Sequence, residues 1–267
     1  MIITANMQKK TILEDLIELM ATLRSEQGCP WDRKQTKDTI KPYIIEEAYE
    51  VVEAVDERNP EKIREELGDL LFEIVFYAQL LKEEDGIDIY DIIETVHTKM
   101  IRRHPHVFGE VKVSNAEEVL VNWEQIKKEE KKAERKSVLD GVPKHLPSLL
   151  RAHRIQSKAS HVGFEWENFH QVLEKLDEEF SELRQAYKHE NLEEIEDEFG
   201  DLLFVLVSIA RFLHVNPDDA LRKAITKFIE RFTQIERAMQ TMNKDWKDLS
   251  GEEMDALWQQ AKEPGIQ

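Results

Sequence analysis

Ile12, Leu16, Leu19, Met20 and Leu23 fall three and four apart, the spacing of one helix face, and predict a helix over residues 11–26 that Gly28-Cys29-Pro30-Trp31 breaks. The same period returns over 39–58. Pro60 suits the first turn of a third helix, which runs to about Gly86 and turns Leu67, Leu70, Leu71, Ile74, Val75 and Ala78 inward. A fourth starts near Ile89 and must stop before Pro105, because the residue ahead of a proline is pushed out of the helical region. Ser114-x-x-Glu117 has the form of a capping box opening one more helix. Beyond Lys131 the chain is charged and then holds Gly141, Pro143 and Pro147, a linker composition. Helices are then expected at 148–160, 169–189, 191–214, 217–241 and 251–262, two of them opened by Asn216-Pro217 and Ser250-x-x-Glu253. Strand-type alternation is nearly absent. The fold class is all-α.

The pattern is also written twice. Glu46-Glu47-x-x-Glu50 precedes Glu66-x-x-Asp69-Leu70-Leu71-Phe72, and 132 residues later Glu178-Glu179-x-x-Glu182 precedes Glu198-x-x-Asp201-Leu202-Leu203-Phe204. Without gaps, 46–72 and 178–204 agree at 13 of 27 positions, including Gly68 and Gly200. Chance does not space five acids, a glycine and Leu-Leu-Phe identically twice, so a module has been duplicated. Two tandem helical-bundle domains are expected, over 1–134 and 148–267, with a linker at 135–147.

Composition narrows the partners. A net charge of −18 lacks the basic surface that nucleic acid or an anionic membrane requires. The lone Cys29 allows no internal disulfide, and neither a signal region nor an eighteen-residue apolar run is present, so a cytoplasmic protein is expected.

Residues three and four apart share a helix face, so Glu179 and Glu182 point together with Glu178 beside them, and Glu198 and Asp201 pair on the next helix. A short connection turns consecutive helices antiparallel and the two pairs toward each other. Acids so gathered repel unless a cation lies between them, and an oxygen-only donor set selects Mg²⁺ or Mn²⁺. Mg²⁺ commonly completes its shell with substrate phosphates. Glu94-x-x-His97 and Glu167-x-x-His170 formally match a di-iron motif, but they fall at non-equivalent places in the two halves.

The constellation resembles the MazG family of all-α nucleoside triphosphate pyrophosphohydrolases, as do Gly28-Cys29-Pro30-Trp31-Asp32, Arg102-Arg103-His104-Pro105-His106-Val107-Phe108 and the tandem layout. The resemblance implies Mg²⁺-dependent hydrolysis of nucleoside triphosphates to monophosphate and pyrophosphate. It implies that Glu179, Glu182, Glu198 and Asp201 are metal ligands in the second half, with Glu47, Glu50, Glu66 and Asp69 their counterparts in the first.

A triphosphate needs further cations. Both halves place Lys four before Arg on the next helix, as Lys99/Arg103 and Lys227/Arg231, and both then present Trp-x-x-x-Lys, as Trp123/Lys127 and Trp258/Lys262. Recurrence in order favours phosphate binding by Lys227 and Arg231, with Trp258 and Lys262 closing the pocket from the last helix and Trp258 offering its face to base or ribose. Lys175 either reaches phosphate or pairs with Glu179; the first half has Tyr43 there. Trp31 and Trp166 read as core or lid packing. Glu178, taken as a non-ligating acid, is the candidate general base. Apolar positions in the third helix exceed what one short bundle buries, so a homodimer is expected. The second half is expected to carry most of the turnover.

Overall fold

The computed structural model describes residues 2–130 and 136–262. Contacts divide the chain into two units, Met1–Glu130 and Lys131–Gln267. No strand occurs among the described residues.

The first unit holds α1 (Ile2–Arg24), α2 (Pro30–Lys34), α3 (Lys37–Asp56), α4 (Pro60–Asp85), α5 (Ile89–Arg103), α6 (Pro105–Phe108) and α7 (Ala116–Glu130). Its centre is the α3–α4 pair, with α1 laid along α4. Met20, Ile40, Val75, Phe76 and Leu80 are almost fully buried and form the core where the three helices meet. Each such side chain contributes about 1.5–3 kcal/mol relative to an exposed one. Gly28 ends the α1 region because the chain doubles back tightly there. A Cβ on it would stand 2.2 Å from the Leu23 carbonyl oxygen, which accepts a 2.8 Å hydrogen bond from the Cys29 N–H.

The second unit holds α8 (Ser148–Ser160), α9 (Phe169–His189), α10 (Leu192–Phe212), α11 (Pro217–Met242), a 3₁₀ turn (Trp246–Asp248) and α12 (Gly251–Lys262). Here α9 packs on α10, and α8 takes the place on α10 that α1 takes on α4. The buried Gln156 donates to the Phe204 carbonyl at 2.7 Å, tying α8 to α10. Ile235, Met239 and Leu249 form a smaller core with Trp246, Leu257 and Trp258, which seats α12 on α11. Lys158 Nζ binds the carbonyls of Val138 and Asp140, so the segment following Lys136 is fastened to α8.

Several expectations need correction. α1 extends back to Ile2, well before residue 11, since no proline or glycine interrupts 2–10. The cap of α7 is Asn115, not Ser114: Asn115 Oδ1 accepts from the Glu118 N–H at 2.9 Å, and Glu118 reaches back to the Ser114 N–H at 2.8 Å. The short helices α2 and α6 follow Pro30 and Pro105 at their first turns and escape periodicity because each is under two turns long. Most telling, Leu67, Leu71 and Ile74, expected inward, are 50%, 42% and 39% exposed, while Val75 and Ala78 are buried. Of the core-or-lid alternative for Trp31 and Trp166, the core half fails, since both are exposed, Trp31 lying edge-on to Tyr43 at 6.1 Å.

Candidate active site

The two halves build the same hairpin. α3 ends in a left-handed Arg58 and α9 in a left-handed Glu190, each followed by an asparagine that caps the next helix. Asn59 Oδ1 accepts from Glu61 N–H at 3.1 Å, and Asn191 Oδ1 from Glu193 N–H at 3.2 Å. The two-to-three-residue turn reverses the chain and brings the acids of one helix against those of the next. One carboxylate oxygen from each of Glu179, Glu198 and Asp201 lies within 4.8 Å of the others, and Glu47, Glu66 and Asp69 repeat the arrangement in the first unit. Carboxylates gathered this closely could together hold one divalent cation.

Two physical signs test whether a cation fits. The first is an orphaned acceptor: Glu179 is only 4% exposed and its Oε2 is buried with no hydrogen-bond partner, as is Glu47 Oε2. A buried carboxylate oxygen left unpaired is costly, and a cation removes that cost. The second is mutual repulsion. Burial, then the charges of Glu182, Glu179 and Asp201, push the Glu198 carboxyl above its usual range. Burial and then Glu50 and Asp69 do the same to Glu47, and burial and Glu50 to Glu66. The donor set is hard, anionic and underneutralised, and the residues fit a divalent cation.

Glu50 and Glu182 lie close enough to raise their neighbours but stand outside the two converging trios. Glu178 is at the rim, its Oε1 2.8 Å from Lys175 Nζ, which is equally close to Glu179 Oε1. Lys175 therefore pairs with Glu179, one of the two roles open to it, and is held protonated by Glu178 and then Glu179. On α11 and α12, Arg231 lies over Trp258 with 5.9 Å from guanidinium carbon to ring centroid, and Trp258 packs on Phe228 at 5.3 Å. Trp258 thus seats α12 rather than lying free above the site. Lys227 is exposed and Lys262 donates to Gln259 at 3.2 Å; neither forms an ion pair with the acids among the described residues.

The first unit carries something the sequence reading missed. Glu73 stands one turn beyond Asp69 with a buried, unpartnered Oε2, and burial, followed by the charges of Glu47, Asp32 and Asp69, pushes its carboxyl up to about 7. Asp32 itself is 8% exposed. The second half has Val205 in place of Glu73, a difference readable from the repeat. Glu94, His97, Glu167 and His170 join no metal-capable group among the described residues, and His170 instead pairs with Glu174 at 3.2 Å.

Two tandem all-α units, each closing a hairpin on a carboxylate trio, define the class of protein. A family model described as the MazG nucleotide pyrophosphohydrolase domain matches residues 35–108 and 167–235, once in each unit. The chain is 44% identical over 251 residues to the nucleoside triphosphate pyrophosphohydrolase/pyrophosphatase MazG of Thermotoga maritima, covering 94% of this chain and 96% of that one. It is 42% identical over 259 residues to the nucleoside triphosphate pyrophosphohydrolase of Escherichia coli K12, covering 95% and 98%. A crystal structure of a mazG-related protein from Thermotoga maritima matches 43% of this chain and 98% of its own at 34% identity, with a TM-score of 0.38. The chain belongs to the MazG family, and it is a hydrolase.

Proposed function

We propose that this chain hydrolyses nucleoside triphosphates, ribo- and deoxyribo- alike, at the α–β phosphoanhydride, as a Mg²⁺-dependent homodimer that clears the cytoplasmic nucleotide pool. Water adds across the anhydride, and monophosphate and pyrophosphate leave. The observation that carries this reading is Glu179, buried with an unpartnered oxygen against Glu198 and Asp201. Glu179, Glu182, Glu198 and Asp201 would hold Mg²⁺ or Mn²⁺ in the second unit, and Glu47, Glu50, Glu66 and Asp69 in the first. A divalent cation so held supplies charge that offsets the triphosphate's own and makes water easier to deprotonate. Lys227, Arg231 and Lys262 offset the charge that develops on departing pyrophosphate, with Lys175 at the rim of the acids. Trp258, while seating α12, contributes aromatic contact to base or ribose. Glu178, flanking the trio without converging on it, accepts the proton of the attacking water.

Product analysis over the NTPs and dNTPs tests the reading. Pyrophosphate should appear in step with monophosphate, at comparable rates across bases, and only with Mg²⁺ or Mn²⁺ present. ADP and orthophosphate as first products from ATP would overturn it.

A further inference from the structure

The repeated Lys-x-x-x-Arg and Trp-x-x-x-Lys elements are not in the same state in the two units. In the second, Arg231 leans on Trp258 and forms no ion pair among the described residues. In the first, Arg103 leans on Trp123 in the same way, at 5.4 Å, but its guanidinium is already taken. Glu130, in the last turn of α7, accepts from Arg103 Nη2 on Oε2 at 2.5 Å, while Arg103 Nε is shared between Oε2 at 3.1 Å and Oε1 at 3.3 Å, so the guanidinium edge spans both oxygens. Oε1 also accepts from Arg102 Nε at 2.7 Å. The Arg103 and Glu130 side chains are only 10% and 11% exposed, so water does little to loosen them. His104 also packs on Trp123, edge-on, with ring centroids 4.8 Å apart. Glu130 lies seven residues after Trp123; seven after Trp258 the sequence has Gly265, which carries no charge.

A carboxylate bound by a guanidinium fork uses the donors that a phosphate would use, because both anions present two oxygens at matching separation. With the nucleotide reading of the second unit as its premise, we propose that Glu130 is a built-in substitute for substrate phosphate: it occupies the arginines of the first unit and shuts that unit to nucleoside triphosphates although its acids are complete. A tethered carboxylate competes as though present at roughly millimolar concentration or above, before any loss of freedom by the incoming nucleotide is counted. Glu130 also cancels one of the two positive charges on Arg102 and Arg103, which lowers the field drawing a polyanion there. The first unit then keeps its family hairpin and acid trio as structure, and the nucleotide goes to the second.

Glu130→Gln keeps the shape of the side chain and removes the charge. Calorimetric titration of the intact chain with Mg²⁺ and the non-hydrolysable α,β-methylene analogue of ATP should report about one more bound analogue per chain in the variant than in the unmodified protein. Adding Arg103→Gln to that variant should remove the gain, which a merely structural ion pair would not do. A folded Glu130→Gln chain with unchanged stoichiometry overturns the proposal. If that variant does not fold, Glu130→Asp retains the charge but shortens the reach to Arg103, and it should gain a weaker extra site; a folded Glu130→Asp chain without one is equally fatal. Failure of the nucleotide reading itself looks different, as no binding in the unmodified protein whatever happens at Glu130.

Discussion

At the scale of single residues, the two acid trios are near copies, so function must turn on what surrounds them. Asp201 and Asp69 make the comparison most sharply. Loss of outer support alone costs about 10–100-fold at a metal site, so removal of a ligand should cost at least that. Asp201→Asn should nearly abolish triphosphate hydrolysis, whereas Asp69→Asn should leave most of it, both measured as pyrophosphate release by chains with unchanged circular dichroism. Equal loss from each, or the reverse order, would mean that the first unit turns over as well. Glu73 gives a second contrast, in stability. Its folded carboxyl is raised from the ordinary 4.5 to about 7, so in that interval the folded state binds more protons than the unfolded one. Stability from this group is therefore highest at the acid end and lost as pH rises from about 4.5 to 7. In EDTA, Glu73→Gln should exceed the unmodified protein by a margin that grows across that window and levels off near pH 8. The margin should reach about 1–2 kcal/mol, below full conversion of the shift because the carboxyl retains some solvent. A constant margin from pH 5 to 8 would place the cause elsewhere.

The elements were largely legible because their signals are local. α8, α9 and α12 begin and end where periodicity and, for α12, the Ser250 capping box placed them; Asn168 caps α9 as well, and α8 has no side-chain cap. The 3₁₀ turn at Trp246–Asp248 was not legible: three residues carry no period, and what fixes it is Asp245 and Asp248 bonding across it. The convergence of Glu179, Glu198 and Asp201 could be read from helix spacing plus a short turn. The grip of Glu130 on Arg102 and Arg103 could not, because it joins residues 27 and 28 apart through tertiary packing. Nothing within the chain requires a glycine at positions 68 and 200. Both sit mid-helix, neither has a positive φ, and an added Cβ would meet nothing within 4 Å. Helix propensity alone then predicts that Gly200→Ala stabilises the second unit by about 0.5–1 kcal/mol, read from denaturant unfolding at micromolar dilution. A loss of stability instead would mean that something packs on this helix face even under those conditions.

That possibility belongs to the whole molecule, and the repeat speaks to it. Leu67, Leu71 and Ile74 on α4 are 50%, 42% and 39% exposed; their counterparts 132 residues on, Phe199, Leu203 and Leu206 on α10, are 52%, 39% and 45% exposed. Each trio follows the i, i+4, i+7 spacing of a single stripe, so duplication has preserved an uncovered apolar face in both units rather than scattered exposed leucines. Contiguous patches of this kind are disfavoured in water, and in a chain of net charge −18 the surrounding acids keep them from indiscriminate contact. A second copy would supply a matching stripe for each, because a two-fold axis pairs a surface with itself. The stripes also run along the helices that carry Glu66, Asp69, Glu198 and Asp201, so covering them would stiffen the backbone behind both acid trios. Light scattering at micromolar concentration should therefore report at least twice the 31.4 kDa chain mass. Leu203→Glu, which places a charge in the middle of the second stripe, should lower that mass and reduce pyrophosphate release together. A stable species of 31.4 kDa in the unmodified protein, with full activity, would leave the two stripes without this explanation.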